Sequence, residues 1–476
     1  MTNVARLRGK HLAVLNWRDV RHPQAGGAEW YLHHIARRWV GAGVRVTWLT
    51  ARPEALPAHE VIDGVDVVRA GGALSVYPAV AWRLLRERGR FDAIVDCQNG
   101  IPFFAPLFAG GSVPVVQVVH HVHQEQFADR FSPPMAAVGR FLEGPVARRV
   151  YGRRLTVAVS PSTRTRLRQR LGWRGPICIV PNGTAAPAGA TAPRAPDPTI
   201  TVVSRLVPHK RLDLLLSALP PVAARLPGLR VDVVGDGVEL PRLRDLAARL
   251  GLHGVVTFHG RQPDAVRDGL LDRAWLTACT SAGEGWGCSI VEAAGRGVPC
   301  LAVDAPGVRD SVIHGRTGRL VADADDLPAA LVDLLTDLAD PGTAAAFADR
   351  CRAWAGCFTW ERSAELLAGV LVQEAAGQRT GCRRTARPDI ATVVRCAPGV
   401  APGVGRLRAT DEVATHRDGT TTVLLAGCDD FDAPRVVARL GLTVERVRLA
   451  DRYDLLSGPA GLPARLAPAD EEARRA

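Results

Sequence analysis

The sequence predicts an α/β protein: two Rossmann-like, doubly wound domains facing across a cleft, followed by a C-terminal extension. Three observations carry this prediction. Short apolar runs alternate with helical patterns over the first 185 residues, the rhythm of βαβ units in a parallel sheet. A stretch made almost wholly of Ala, Pro, Gly and Thr, TAAPAGATAPRAPDP at 184–198, breaks that rhythm, which then restarts. The chain has 476 residues, 47% hydrophobic and 23% charged, with a mean hydropathy of +0.03. That is globular composition with length for two or three domains, and it excludes collagen-like or wholly disordered chains.

The elements follow in order. HLAVLNW (11–17) reads as a buried opening strand, followed by a Gly-rich turn and a helix over 28–40. VRVTWLT (44–50), FDAIVDC (91–97), VPVVQVV (113–119), TVAVS (156–160) and PICIVPNG (176–183) supply further strands. Residues 1–185 form the first domain, 186–198 a linker, and 199–376 the second domain. That second domain alternates TITVVSRL (199–206), a helix over 212–218, RVDVVGDG (230–237), a helix over 240–250 and VVTFHGR (255–261). WLTACTS (275–281), a Gly-rich turn, a helix through 294 and PCLAVD (299–304) complete it. The extension, 377–476, opens with an Arg-, Gly- and Pro-rich stretch to 408 that reads as flexible linker. A strand at 420–428 and a helix at 431–442 follow, and 467–476 reads as a frayed end.

Charge is lopsided. The net charge is +12, yet of 60 cationic side chains only Lys10 and Lys210 are lysines. Seven arginines against one acid, Asp389, lie between Gly377 and Thr410, and they account for half the net charge. The bulk number therefore carries no nucleic-acid reading. Ten cysteines with no CxxC pair, and an N-terminus without an apolar stretch of signal length, point to a reduced, cytoplasmic protein. The longest uncharged stretch, 101–119, contains Pro102, Pro106 and Pro114, which argues against a spanning helix.

Three motifs carry chemistry. Pro23-Gln24-Ala25-Gly26-Gly27-Ala28-Glu29 follows the opening strand, and its adjacent glycines let backbone N–H groups approach an anion at a helix N-terminus. Ser204-Arg205-Leu206-Val207-Pro208-His209-Lys210 ends the second domain's first strand, where Arg205 and Lys210 can grip one diphosphate. In Glu284-Gly285-Trp286-Gly287-Cys288-Ser289-Ile290-Val291-Glu292, one carboxylate stands at the strand end and the other about one helical turn inside. The N–H groups of Gly287, Cys288, Ser289 and Ile290 point at a phosphate. No Asp-x-Asp metal site accompanies a donor strand.

These motifs, with VAVS-PST (157–163), VPNGT (180–184), GDG (235–237), GVRDSVIHGRTGRLV (307–321) and FTW (358–360), run in a characteristic order. Over 12–367 the chain resembles the retaining glycosyltransferases of family 4 with the GT-B fold, of actinobacterial type. The resemblance implies a nucleotide-diphosphate sugar, UDP- or GDP-linked, as donor, with no obligatory cofactor or metal. It places Arg205 and Lys210 on the diphosphate, with Gly235, Gly287, Cys288, Ser289 and Ile290 around it, Glu292 on the ribose and Glu284 on the sugar hydroxyls. Gly26 and Gly27 approach phosphate and acceptor. His120 is favoured at the anomeric site, with His121 and His123 left open. Cys288 and Ser289 depart from the family pattern, where Thr or Pro is common.

The implied acceptor is a glycolipid, polysaccharide or small glycoside. A basic amphipathic stretch, Arg140, Arg148, Arg149, Arg153 and Arg154 among Phe141, Leu142, Val146, Val150 and Tyr151, fits peripheral contact with anionic lipid at the inner face of the plasma membrane. Two other classes stand beside the transferase: an epimerase or phosphorylase of related fold, and a non-catalytic nucleotide-sugar binder. Intact Glu284, Glu292, Arg205 and Lys210 speak against the last.

Overall fold

The strand His11–Leu15 (β1) is buried at every residue, as an uninterrupted apolar run demands. The computed structural model describes residues 2–185, 193–379, 390–402, 407–428 and 433–466. In it β1 is joined by β2 (Arg45–Thr50), β3 (His59–Ile62), β4 (Val65–Arg69), β5 (Ala93–Gln98), β6 (Val115–Val119), β7 (Thr156–Ala158) and β8 (Ile177–Ile179). The sheet order is β3-β4-β2-β1-β5-β6-β7-β8, parallel except for the antiparallel β3–β4 hairpin. Leu12 faces Val46 on one side and Ala93 on the other. The order turns back at β1, so the ends of β1 and β5 bracket the topological switch point where open α/β sheets place their sites. Asp63 and Gly64 both take positive φ (48° and 80°) between Ile62 and Val65, the two-residue turn that suits a twisted hairpin.

The chain divides into two units, Met1–Gly183 with Trp360–Gly461 and Thr184–Thr359 with the C-terminal end. The boundary at 359/360 differs from the 376/377 boundary read from the sequence. The helix Trp360–Arg379 belongs to the first unit, where Trp39 donates from its indole nitrogen to the Ala364 carbonyl at 3.1 Å and Ser363 bonds the Pro181 carbonyl at 2.8 Å. Residues 186–192 of the expected linker lie outside the described residues.

The second unit contains β9 (Thr199–Val203), β10 (Arg230–Val234), β11 (Val256–Gly260), β12 (Thr277–Cys279), β13 (Cys300–Val303) and β14 (Gly318–Val321). They form parallel trios, β11-β10-β9 and β12-β13-β14, joined by a bridge between Ile200 and Leu276. Its core gathers Leu215, Leu216, Leu219 and Val222, all fully buried. These four share one face of the helix Leu212–Arg225, which runs on through Pro220 and Pro221 instead of ending near residue 218. Burial of Leu219 and Val222 outweighs the missing backbone donors.

The C-terminal extension corrects another expectation. Ala391–Cys396 (β15), inside the stretch read as linker, is a central strand. With β16 (Glu412–Thr415), β17 (Thr421–Ala426) and β18 (Val444–Leu449) it makes an antiparallel sheet ordered β16-β17-β15-β18. Its β-branched ATVV core, with Val394 and Cys396 fully buried, outweighs the Arg- and Pro-rich flanks. Residues 380–389, 403–406 and 467–476 of that stretch and of the expected frayed end lie outside the described residues. Amide hydrogen exchange checks the correction: β15 pairs on both sides, so the Val393 and Val394 amides should exchange far more slowly than those of the exposed Arg417 and Asp418. Equal, fast exchange would contradict it.

Candidate active site

In the second unit the site begins with two loops tied together. After β9 the chain makes a short helical turn, Pro208–Lys210, and Arg211 takes a left-handed φ of 47°. Thr280 Oγ1 donates to the carbonyls of Lys210 (3.2 Å) and Arg211 (2.8 Å), and the Ala282 amide donates to the His209 carbonyl at 2.9 Å. The loop after β9 is thereby fastened to the chain leaving β12. Lys210 Nζ meets Glu284 Oε1 in an ion pair, with only 17% and 16% of the two side chains exposed. Burial alone would raise the Glu284 carboxyl. The Lys210 charge and hydrogen bond, helped by Ser281 and His209, overcome it and hold Glu284 below the usual carboxylate range.

Glycines let these loops approach. A Cβ on Gly235 (φ 139°) would fall 1.8 Å from the Ser204 carbonyl oxygen, so the turn after β10 lies directly under the segment that carries Arg205. Arg205 itself is exposed. Gly287 (φ 72°) caps the helix Cys288–Gly295, and a Cβ there would meet Ser311 Oγ at 2.8 Å. Ser311 Oγ in turn bonds the Trp286 and Gly307 carbonyls. Ile290 drops out of the anion-facing set: its amide bonds the Gly287 carbonyl at 3.0 Å and its side chain is buried. Cys288 and Ser289 remain at the helix start, and Glu292 is exposed one turn on. A helix N-terminus ordinarily lowers a thiol's pKa, but burial, with Glu292 and Glu284 adding, pushes Cys288 up to about 12. It stays a neutral thiol.

In the first unit, Gly26 is extended (φ −146°), a conformation open to any residue, so the glycine serves space and not strain. What holds the turn is Glu29, a residue quoted in the motif but given no role. Its carboxylate is wholly buried and accepts from the Gly26 amide (2.7 Å), Arg18 Nε (3.1 Å), Asn16 Nδ2 (3.2 Å) and Asn99 Nδ2 (3.4 Å). The signal available was Glu at the third helical position behind a glycine cap. Two residues on, Tyr31 packs edge-on to His120, ring centroids 5.0 Å apart. His120 follows β6 and is buried, and its Nε2 has no hydrogen-bond partner among the described residues. Burial, reinforced by His123, lowers it to about 3, so it is a neutral hydrogen-bonding group. His121 Nε2 already contacts Gln126 (3.0 Å) and Arg166 (3.3 Å), and His123 sits 3.5 Å from Glu143. Among the described residues no cluster of three His, Cys, Asp or Glu could hold a metal ion.

The chain matches the family described as glycosyl transferases group 1 over residues 189–353 and glycosyltransferase family 4 over 25–186. Over 314 residues it is 30% identical to the GDP-mannose-dependent alpha-(1-6)-phosphatidylinositol monomannoside mannosyltransferase of Mycobacterium tuberculosis H37Rv, covering 64% of this chain and 68% of that one. The chain belongs to the family 4 glycosyltransferases. The Mycolicibacterium smegmatis protein of the same description is 30% identical over 274 residues, but the chain spans only 63% of its length. The fold is GT-B, shared with sucrose-phosphate synthase from Thermosynechococcus elongatus (TM-score 0.65, 20% identity, covering 77% of this chain and 100% of that one). Anabaena HepE in complex with UDP and glucose also shares it (TM-score 0.58, 22% identity, covering 76% and 99%).

The depressed carboxyl of Glu284 generates a pH prediction. A group whose pKa is lowered on folding adds stability above its unfolded value, 4.5, and loses it as pH falls through the folded value. Glu284→Gln should therefore lower Tm by a few degrees at pH 7, about 2–4 °C per kcal/mol lost. That gap should close in scans taken progressively further below pH 4.5. A gap that persists unchanged into strong acid would contradict the pairing.

Proposed function

We propose that this family 4 glycosyltransferase moves a sugar, with retention, from a nucleotide-diphosphate sugar to a hydroxyl of a phosphate-bearing, lipid-linked acceptor. The observation that carries the reading is the Lys210–Glu284 pair beside the Gly287-capped helix. As the glycosidic bond to the donor phosphate breaks, negative charge grows on the departing diphosphate. Lys210, held in place by Glu284, opposes that charge with no reorganisation at the moment of reaction, and the exposed Arg205 adds to it. The departing phosphate oxygen takes the proton of the acceptor hydroxyl as the new bond forms on the same face. Glu284 orients Lys210 and bonds the donor sugar, Glu292 bonds the ribose hydroxyls, and the amides of Cys288 and Ser289 face the phosphate. In the first unit we assign Gly26 and Gly27 to phosphate and acceptor, and neutral His120, whose Nε2 has no hydrogen-bond partner among the described residues, to a sugar hydroxyl. No metal is assigned a role.

Relatives guide the choice of donor and acceptor. Mycobacterial relatives and one from Komagataeibacter xylinus are described as using GDP-mannose, which favours a GDP-sugar over a UDP-sugar here. Their described acceptors are phosphatidylinositol monomannoside and cellobiosyl-diphosphopolyprenol. Relatives from Rhodococcus are D-inositol 3-phosphate glycosyltransferases. A phosphate near the accepting sugar or inositol is common to all three.

A lipid-linked acceptor fits the surface of the helix Pro133–Phe141. It packs its small residues Ala136 and Gly139 inward, and a Cβ on Gly139 would sit 2.7 Å from the Phe127 ring. It leaves Met135 (45%), Val138 (50%) and Phe141 (59%) exposed, beside Phe131 (43%). The expected face is corrected in part. Tyr151 is fully buried on Asp96 and Arg154 lies 3.7 Å from Glu374, so the apolar stripe begins earlier, while Arg148, Arg149 and Arg153 stay exposed. We assign this face to the inner leaflet of the plasma membrane, reached from the cytoplasm. No helix among the described residues is long and apolar enough to cross a membrane.

Incubation with GDP- and UDP-sugars should give nucleotide release only when a lipid-linked or inositol-phosphate acceptor is present, fastest with GDP-mannose. Lys210→Ala and Glu284→Ala should each lower kcat by about 10²–10³-fold with the fold intact by circular dichroism. Tight donor binding without release for any acceptor would favour a non-catalytic binder, and near-wild-type turnover in either variant would overturn the roles. Separately, Val138→Glu with Phe141→Glu should weaken binding to phosphatidylglycerol vesicles at least tenfold, since each lost apolar insertion removes about 1.5–3 kcal/mol. Turnover on a soluble acceptor should be unchanged. Unaltered vesicle binding would remove this helix from the membrane face.

A further inference from the structure

The helix Pro133–Phe141 does not run evenly into the helix Ala147–Tyr151. Between them Leu142–Val146 form a π-turn with Pro145 inside it. Such turns are rare and recur at functional sites. Here the wide turn buries two successive residues, Glu143 and Gly144. Glu143 is wholly withdrawn from solvent, and among the described residues no arginine or lysine lies within ion-pair reach of it.

Both of its oxygens go to the loop that follows β6. Oε1 accepts from the His123 amide and Oε2 from Gln124 Nε2, each at 2.6 Å. Gln124 Nε2 also donates to the Arg140 carbonyl at 3.2 Å. A π-turn bonds a carbonyl to the amide five residues on; for Arg140 that residue is Pro145, which has no N–H, and Gln124 supplies the donor instead. Loop and turn are thus fitted to each other. A carboxylate buried without a cation is a poor source of stability, since an apolar side chain of similar volume does as well or better. It is an effective way to fix two donors in place.

His120 lies between two anchors. Upstream, β6 ends at Val119, which pairs with Gln98 on one side and Ala158 on the other. Downstream, only His121 and Val122 separate His120 from the amide that Glu143 holds. We infer that Glu143 is a positioning residue for His120: it fixes the loop His120–Gln124 and so keeps His120 Nε2 aimed at a hydroxyl of the donor sugar. The sugar contact rests on the assignment of His120 proposed above; the tether does not.

Glu143→Gln keeps the volume but leaves one acceptor oxygen for two donors. Histidine-selective NMR of the full chain, with the His120 signal identified by its absence from His120→Ala, reads the ring directly. In the variant it should titrate nearer the ordinary 6.5, whereas the wild-type ring, lowered to about 3, stays neutral across the working range. Affinity for GDP-mannose should fall about tenfold, the upper worth of one hydrogen bond, while affinity for GDP, which carries no sugar, stays unchanged. Added to His120→Ala, Glu143→Gln should cost nothing further, because both act through one contact. Gln124→Leu should move the His120 titration the same way by less, and decides the matter if Glu143→Gln does not fold. An unmoved His120 titration in the folded variant, equal losses for GDP and GDP-mannose, or losses that add in the double variant would each overturn the inference. Unchanged GDP-mannose affinity in His120→Ala would overturn the sugar contact alone, and the titration would still decide the tether.

Discussion

Glu284 leaves one strand end and Lys210 another, 74 residues apart in sequence, and their ion pair ties together the two loops proposed to hold the donor. A carboxylate this far withdrawn from water is tolerable only with a cation against it, because removing one partner of a buried pair leaves an uncompensated charge. Every local feature nearby serves to bring the two together. Thr280 and Ala282 hold the Lys210 loop by its carbonyls, Gly235 lets that segment lie on the turn after β10, and Gly307 admits the Glu284 carbonyl within 2.2 Å of where a Cβ would stand. The same pairing leaves an ammonium with two further hydrogens at a site where an anion is expected.

The first unit solves a comparable problem with a different arrangement. Glu29 is wholly buried, and Arg18, Asn16, Asn99 and the Gly26 amide share its two oxygens. Arg18 also ties the Gln24 carbonyl at 2.8 Å, so one carboxylate organises the whole turn from residue 18 to the helix start. His120 stands apart from such networks: its ring packs edge-on to Tyr31 and its Nε2 has no hydrogen-bond partner among the described residues. A buried polar atom without a partner is costly unless something binds it.

Much of the fold was legible because buried parallel strands are written as apolar runs, and β1, β2, β5 and β6 are such runs. Where reading failed, tertiary contacts overrode local pattern. Pro220 and Pro221 look like a helix end, but the buried face of Leu212–Arg225 continues past them. β15 hides among arginines and prolines and is made a strand by its neighbours β17 and β18. The β3–β4 hairpin was in plain sight as Asp63-Gly64 and needed only the turn rule. For the candidate site, Arg205 and Lys210 stand in the short run 204–211 and Glu284 and Gly287 in a glycine-punctuated turn, so the sequence could offer them as candidates. The Thr280 tether, the Glu29 hub and the partners that occupy His121 could not be read from it, since each depends on contacts between distant segments.

The central claim, that Lys210 is held in place to neutralise a diphosphate, is most directly tested by titrating GDP and guanosine separately against wild type and Lys210→Ala. The account predicts that the variant loses at least tenfold in affinity for GDP, about 1.4 kcal/mol, with guanosine affinity unchanged. Equal losses for both ligands, or none for GDP, would contradict it.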